Sequence, residues 1–217
     1  MITFVLADSS LELIPKEIQN NNIIIRSAKL RNKSPEEILL DSNYHHSAMK
    51  LLKDYRKRGR PDIVHITLLV ILDSILNKEY GLNLYVHTYN DLVLKLDNKI
   101  NLPKSYNRFT GLMEQVLLKR NENPLIKVFK SKLDALLDSI KGEKIILSRK
   151  GKFRNLDFFK EKVKKDIVIV IGCFPYGRIN TKYKNLISLS RLHLTSWSVA
   201  SLITTALYEG IKFYNLR

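Results

Sequence analysis

The chain has 217 residues, and its 37 lysines and arginines against 21 acidic residues give a formal net charge of +16. Apolar residues make up 45 % of the sequence, which is typical of a globular protein and excludes a disordered chain. A single cysteine, Cys173, excludes an intrachain disulfide and indicates a reducing compartment. The N-terminus lacks a basic segment before its apolar run, and no apolar run is long enough to span a membrane. We therefore expect a soluble cytoplasmic protein without a signal peptide, whose excess positive charge binds a polyanion.

The first third of the chain alternates strand and helix signals. Residues 2–7 form a short apolar run that predicts a buried strand. A helix is predicted from Ser34, because an N-cap serine precedes proline and two acids, and its apolar spacing continues to Tyr55. The basic run at residues 53–58 fits a solvated helix face and a phosphate-binding surface equally well. Residues 63–76 are apolar on both faces, as in a central strand or a buried helix.

The remaining two thirds predict a longer alternation. A β-hairpin is expected over residues 84–96, with Tyr89 and Asn90 at its turn. The elements predicted after it are helices at 105–119 and 124–140, a strand at 144–147, a basic turn, a helix at 157–165, a strand at 167–171 and a C-terminal helix at 195–214. The strand at 167–171 is apolar throughout, which places it in the middle of a largely parallel sheet. We predict one α/β domain over residues 1–217, in which residues 80–140 form an inserted extension.

Two late segments carry signals of a ligand site. Gly172 and Gly177 follow the buried strand with phosphate-loop spacing, but Arg178 and Ile179 stand where that motif requires Lys and Ser or Thr. Glycine at the carboxyl end of a central parallel strand lets the backbone approach a ligand, although a plain tight turn fits equally. Residues 187–197 alternate Ser and Leu, which fits an ordinary loop or a loop that offers backbone groups to a flat heterocycle.

Two earlier segments carry charge in suggestive patterns. If the chain is extended around Pro61, Arg60 and Asp62 lie on the same side of it, as a salt bridge or as an anion-and-base site. Lys104 and Arg108 share a helix face together with nearby aromatic residues, a mixture that single-stranded nucleic acid uses for stacking. A basic amphipathic helix with core aromatics explains that segment equally well. The basic turn at residues 149–154 favours nucleic-acid contact, and no histidine has metal-ligand spacing.

Five blocks occur in the order of one known family and cover almost the whole chain, namely residues 39–49, 60–65, 103–113, 171–177 and 187–197. Together they resemble the pseudouridine N1-specific methyltransferases of small-subunit ribosomal RNA, which belong to the knotted SPOUT superfamily. The block Asn-Arg-Phe-Thr-Gly-Leu-Met at residues 107–113 and the two late blocks are the specific part of this resemblance.

The resemblance implies a C-terminal trefoil knot, an obligate homodimer, bound S-adenosylmethionine and a role in small-subunit ribosome biogenesis, with ribosomal proteins as further partners. The cofactor-binding residues that it implies are Leu147, Gly172, Gly177, Ser188, Leu189, Ser190, Arg191, Leu192, His193 and Leu194. The residues that it implies for contact with an RNA hairpin loop are Arg60, Asp62, Asn101, Lys104 and Arg108. The family often has arginine where Asn101 and Lys104 stand, so the basic turn at 149–154 is expected to compensate.

The same resemblance implies a catalytic role for Asp62. A sulfonium is an activated methyl donor, so the reaction needs neither a metal nor a covalent nucleophile. Arg60 is expected to lower the pKa of Asp62, which favours a fixed hydrogen-bond acceptor that orients the uracil ring and assists loss of its N1 proton. A non-catalytic RNA-binding ribosome assembly factor remains the alternative. The last helix carries Trp197, Ile203 and Tyr214, which fit either a partner-facing surface or the core of one subunit.

Overall fold

A computed structural model describes residues 1–118 and 123–215 of the chain. The strands are β1 (Ile2–Ser9), β2 (Asn83–Thr88), β3 (Leu92–Leu96), β4 (Ile126–Lys130), β5 (Glu143–Phe153), β6 (Ile167–Gly172) and β7 (Leu186–Ser188). The helices are α1 (Asn22–Leu30), α2 (Ser42–Met49), α3 (Pro61–Asp73), α4 (Ile75–Tyr80), α5 (Tyr106–Leu117), α6 (Leu133–Ser139), α7 (Asp157–Lys162) and α8 (Ser196–Asn215). Within the described residues, no helix has the length and apolar character needed to cross a bilayer.

One sheet of seven strands in the order β4-β3-β2-β1-β6-β5-β7 organises the molecule. The pairings of β1 with β2 and β6, and of β5 with β6 and β7, are parallel, whereas β3 runs antiparallel to β2 and β4. The predicted α/β class and largely parallel sheet are therefore confirmed. The segment at residues 80–140 supplies β2, β3 and β4, so it extends this sheet from the side of β1.

Strand β6 is buried on both faces, as its unbroken apolar run predicts. Ile167, Ile169 and Ile171 belong to the main core, which also contains apolar side chains of α3, α5 and α8. Val168 and Val170 belong to a smaller core on the other face, beneath α6. This alternation follows from the two-residue period of a strand and places the end of β6 between two helical layers.

The predicted helix from residue 34 to residue 58 is wrong. The structure has a short 3₁₀ helix at Pro35–Glu37, and Leu39 then forms an isolated bridge with Leu13. Asp41 caps a separate helix, α2, by accepting a hydrogen bond from the Asn43 N–H. Bridge formation and a new N-cap therefore override the helical spacing of the apolar residues. Helix α1 has no counterpart in the sequence-based prediction.

The apolar segment at residues 63–76 is helical. Pro61 occupies the first turn of α3, where its missing N–H is no loss. The helix ends at Asp73, and the side chain of Ser74 caps α4 by accepting a hydrogen bond from the Asn77 N–H. The choice between strand and helix is thus decided by proline at the start and serine at the break.

The predicted helix at residues 124–140 is also wrong, because its first half is strand β4. Ile126 and Val128 alternate along β4, which pairs with β3 from Leu92 to Leu96. This pairing satisfies the free hydrogen-bonding groups of the hairpin edge, so tertiary contact overrides the helical pattern there. Only α6 is helical. The hairpin, α5, α7 and α8 match their predictions, and the predicted end of α5 at Lys119 lies outside the described residues.

Helix α8 packs on the sheet through one face. Ile203 is fully buried within the single chain, so the core interpretation holds for this residue. Trp197 is half-buried and packs against the same core. Tyr214 is half-buried and lies under the Lys164 ammonium, which is 4.1 Å from the centre of its ring. A partner-facing role for this helix therefore rests on its remaining surface.

Candidate functional site

A cavity of about 840 Å³ opens where β6 and β7 end, beside the middle of β5. The predicted cofactor residues that line it are Leu147, Gly172, Gly177, Ser188, Leu189, Ser190, Leu192, His193 and Leu194. Arg191 is exposed and does not line the cavity, although its neighbours on both sides do. The edge at the carboxyl ends of parallel strands is where open α/β sheets bind their ligands. The structure thus gathers three separate loops around one space.

The loop from Gly172 to Gly177 forms one wall. A Cβ atom at Gly172 would lie 2.9 Å from the ring of Phe174, and Gly177 has a φ of +119°, which favours glycine. The hydroxyl of Ser196 donates to the Gly172 carbonyl over 2.7 Å and joins this loop to the first turn of α8. The two glycines therefore serve a tightly folded loop.

Cys173 lies in the same loop and is fully buried. Its N–H donates to the carbonyl of Ala7, and its own carbonyl accepts from the N–H of Ser10. Burial raises the pKa of its thiol to about 12. The thiol therefore stays protonated near neutral pH, and Cys173 is a packing residue and not a nucleophile.

The ammonium of Lys57 contacts the loop that follows β6 and holds it in place. It donates to Asp8 Oδ2 over 2.6 Å and to the Arg178 carbonyl over 2.7 Å, and it lies 4.4 Å from the centre of the Phe174 ring. Asp8 also accepts the N–H of Asn180 over 3.0 Å. This contact between the basic run and the loop was missed from the sequence. The position of Asp8 at the end of β1, at the same edge of the sheet, was the available signal.

Arg58, in the same basic run, is likewise structural. Two of its guanidinium nitrogens donate to the carboxylate of Glu12, each over 2.7 Å, and both side chains are buried. Neither a solvated helix face nor a phosphate-binding surface describes Lys57 or Arg58. Both expectations for these two residues are therefore wrong, because each residue has a buried or half-buried carboxylate partner.

Arg60 and Asp62 form a bidentate pair at the start of α3. Arg60 Nε lies 2.8 Å from Asp62 Oδ1, and Arg60 Nη2 lies 2.7 Å from Asp62 Oδ2. The hydrogen bond to Asp62 raises the pKa of Arg60. Asp62 lies in the first turn of the helix. Arg60 lines the cavity wall, whereas Asp62 reaches that wall through its contact with Arg60.

The predicted RNA-binding residues are not all in one place. Asn101 and Lys104 are exposed and line a second cavity of about 890 Å³, which α3, α4 and α8 also border. Arg108 is exposed on α5 and lines neither of these two cavities. Lys104 precedes the start of α5, so the expectation that it shares a helix face with Arg108 is wrong. Ser105 is the N-cap of that helix, which begins at Tyr106.

The aromatic residues of this segment are part of the interior. Phe109 is fully buried and stacks on His65 of α3, with ring centres 4.2 Å apart. Tyr106 is half-buried, and its hydroxyl donates to Asp41 Oδ2 over 2.5 Å. Burial and this hydrogen bond raise the pKa of Tyr106. Core aromatics beneath exposed cations therefore describe the segment, and stacking of bases on Tyr106 and Phe109 does not.

Two further contacts hold the segment in place. His65 Nε2 lies 2.7 Å from the carbonyl oxygen of Pro103, which ties the segment to the helix that carries Asp62. Glu114 of α5 is fully buried, and its carboxylate accepts hydrogen bonds from Arg31, Lys33 and the Leu39 N–H. Sequence reasoning missed Glu114. A single acid within the apolar pattern of a helix was the available signal.

The sequence matches the model of a family described as EMG1/NEP1 methyltransferase over residues 4–208. The Ribosomal RNA small subunit methyltransferase Nep1 of Pyrococcus furiosus is 42 % identical over 96 % of this chain and 97 % of that protein. The protein of the same name from Thermococcus sibiricus is 41 % identical over 97 % of this chain and 98 % of that protein.

A solved structure of a protein with the same family name has a similar fold. The crystal structure of Archaeoglobus fulgidus Nep1 bound to S-adenosylhomocysteine superposes with a TM-score of 0.84 and 34 % sequence identity. The match covers 97 % of this chain and 98 % of that chain. On the family match, the relatives and the shared fold, this chain belongs to the EMG1/NEP1 methyltransferase family.

Proposed function

We propose that this protein transfers the methyl group of S-adenosylmethionine to N1 of a pseudouridine in small-subunit ribosomal RNA. The observation that carries the proposal is the cavity beside β5 and the ends of β6 and β7, with the Arg60–Asp62 pair at its wall. The relatives are named as small-subunit ribosomal RNA methyltransferases. The Archaeoglobus fulgidus protein is bound to S-adenosylhomocysteine, the demethylated form of the methyl donor.

The cavity fits this cofactor in size and chemistry. Its volume of about 840 Å³ lies in the range of small-molecule sites. The loops around Gly172 and residues 188–194 supply backbone groups and apolar side chains that suit a nucleoside with a thioether-like chain. When bound, the cofactor supplies a methyl group on a sulfonium, which is already activated for transfer. The residues that we assign to the cofactor site are Leu147, Gly172, Gly177, Ser188, Leu189, Ser190, Leu192, His193 and Leu194.

The chain contributes orientation. Arg60 holds both carboxylate oxygens of Asp62 in one geometry, so Asp62 presents its remaining lone pairs in fixed directions. Asp62 accepts the hydrogen bond of the pseudouridine N1–H and orients the ring toward the methyl group. It thereby assists loss of the N1 proton as the new bond forms. Holding the two reactants in line supplies roughly 7–11 kcal/mol in well-oriented reactions.

Exposed residues outside the cofactor cavity hold the rest of the substrate strand. We assign Arg108, Lys104 and Asn101 to contacts with the RNA on either side of the target base, with Arg60 and Asp62 nearest to the base. The target is a hairpin loop, because an unstacked base leaves the strand at little cost. Asn101 is uncharged, so its contribution is a hydrogen bond and not phosphate neutralisation.

The trefoil knot, the homodimer, the cytoplasmic location and ribosomal protein partners stay predictions. The reaction itself is tested by incubating the protein with S-adenosylmethionine and an RNA hairpin that carries pseudouridine in its loop. We expect mass spectrometry to find one added methyl group on that base and none on a uridine hairpin of the same sequence. RNA binding without methyl transfer would identify an assembly factor in place of an enzyme.

A further inference from the structure

Strand β5 contains an interruption beside the cofactor cavity. Both Leu147 and Lys152 pair with Ile187 of β7, so the register jumps and residues 148–151 have no counterpart in β7. We call residues 148–152 the basic bulge. A Cβ atom at Gly151 would lie 2.4 Å from the backbone of Leu186, so only glycine lets the strand return to β7 at this point. The bulge is thus a fixed feature of the edge of the sheet.

The bulge carries positive charge on its outer surface. Arg149, Lys150 and Lys152 are exposed, and Phe153, which follows directly, is 62 % exposed. Residues 144–156 contain no Asp or Glu. Arg149 donates a hydrogen bond to Nε2 of His193 in the loop at residues 188–194, which fixes the bulge against the cofactor cavity. The bulge therefore presents three cations and an aromatic ring together on one exposed surface.

The charges that line the cavity indicate that the cofactor is not the main partner of these cations. Arg60, Arg149, Lys150 and Arg178 line the cavity, and none of the described lining residues is Asp or Glu. S-adenosylmethionine has a sulfonium and an ammonium against one carboxylate, so its net charge is positive. One cation is enough for that carboxylate, and the others repel the cofactor as a whole. Their natural partner is a separate anion.

We propose that the basic bulge and Phe153 form a second RNA-binding element, which holds the phosphate backbone of the substrate strand at the mouth of the cofactor cavity. The inference rests on the proposed function for the identity of the strand. Arg149 and Lys150 line the same cavity as Arg60, so a strand whose target base enters the cavity passes the bulge. Phe153 offers an exposed ring on which a neighbouring base stacks.

The test uses a triple variant, Arg149→Gln with Lys150→Gln and Lys152→Gln, and an RNA hairpin with pseudouridine in its loop. Binding is measured across a range of salt concentrations. We expect the slope of log affinity against log salt to fall by about 0.7 for each phosphate that the variant no longer neutralises. At about 0.1 M salt, we expect affinity at least about tenfold weaker than that of the unmodified protein.

Phe153→Ala tests the stacking contact separately. We expect it to weaken RNA binding about fivefold or more and to leave the salt slope unchanged, because stacking releases no counterions. Thermal unfolding of each variant checks that the fold is intact. If the triple variant is poorly folded, Lys150→Gln alone replaces it, with an expected decrease of about 0.7 in slope. An unchanged slope in a folded variant overturns the proposal.

Strand β4, at the opposite edge of the sheet, offers a matched control. Lys127, Lys130 and Lys132 are exposed there, and Phe129 is 41 % exposed. Changing these three lysines to Gln removes the same charge, and Phe129→Ala removes the same ring. We expect both control variants to bind the RNA as the unmodified protein does. Equal losses in the two sets would mean general attraction to a basic protein and would overturn the proposal.

Methyl transfer by the unmodified protein is measured in parallel, so the two proposals fail separately. Bulge-dependent RNA binding without methyl transfer supports the second RNA-binding element and overturns the proposed enzyme. Methyl transfer with bulge-independent RNA binding supports the enzyme and overturns the element.

Discussion

The cofactor cavity and the segment at residues 101–114, for which we propose RNA contact, are positioned in different ways. The cavity is lined by residues 146–150 of β5 and by the loops that directly follow β6 and β7, so the sheet itself brings them together. The segment at 101–114 is held by side chains from distant parts of the chain, through the contacts of His65, Asp41, Arg31 and Lys33. We therefore expect changes in these anchoring side chains to affect RNA binding and to spare the cofactor.

The largest expected effect is on methyl transfer, at Asp62. Asp62→Asn keeps the shape of the side chain but removes the charge that pairs with Arg60 and accepts the hydrogen bond of the pseudouridine N1–H. We expect turnover to fall by about 100-fold, as for loss of a positioned acid or base, with RNA affinity nearly unchanged. Asp138→Asn, which removes the exposed partner of Lys182 on α6, is the matched control. Wild-type turnover of Asp62→Asn in a quantitative methyl-transfer assay would remove Asp62 from the chemistry.

Glu114→Gln tests whether the segment at residues 101–114 and the cofactor cavity are anchored independently. The substitution removes a fully buried charge that holds Arg31 and Lys33, both of which remain about one-third exposed and regain water. We expect a loss of about 2 kcal/mol in the free energy of unfolding, below the range for fully buried pairs. RNA binding should weaken, while calorimetry with S-adenosylhomocysteine should give an unchanged affinity. Glu36→Gln, at an exposed position, is the control. Equal weakening of both ligands would contradict separate anchoring.

A pH dependence follows from His45 of α2, whose ring nitrogens contact the Asp41 N–H and the Ser27 hydroxyl. Burial lowers the pKa of His45 from 6.5 to about 4. Below pH 6.5, His45 therefore binds a proton in the unfolded chain but not in the folded chain. The free energy of unfolding decreases for this reason as the pH falls toward 4. We expect this residue to account for about 1 kcal/mol of lost stability between pH 7 and pH 5.5. Denaturant unfolding of His45→Gln over that range should lack this part of the slope; the same slope in the variant would rule it out.

Two glycines give the smallest and most direct contrast. A Cβ atom at Gly111 in α5 would meet nothing within 4 Å, whereas one at Gly172 would lie 2.9 Å from the Phe174 ring. We expect Gly111→Ala to raise the free energy of unfolding by about 0.5–1 kcal/mol, because alanine is the better helix former. Gly172→Ala should instead weaken binding of S-adenosylhomocysteine. Thermal unfolding and calorimetry check the pair, and a destabilised Gly111→Ala would show that the position is crowded.

Much of the fold could be predicted from local patterns. The buried strand at 167–171, the hairpin, α5, α7 and α8 all follow from apolar periodicity, turn residues and length. The cavity was also predictable in large part, since Leu147, Gly172 and residues 188–194 stand next to strand ends that converge at one edge. Predictions from the spacing of apolar residues were wrong where a distant partner decides the conformation. This occurs at β4, which pairs with β3, and at Leu39, which forms a bridge with Leu13.

By itself, the sequence determined the α/β class and the central place of β6, because each depends on residues close together in the chain. The family resemblance supplied the loops of the cofactor cavity and the roles of Arg60 and Asp62. Only the tertiary structure decided that Lys57 and Arg58 are structural, that Tyr106 and Phe109 lie inward and that the basic stretch after Leu147 leaves the sheet as a bulge. Each of these depends on a partner more than thirty residues away, such as Asp8, Glu12, Asp41, His65 or Ile187. Local periodicity carries no information about such a partner.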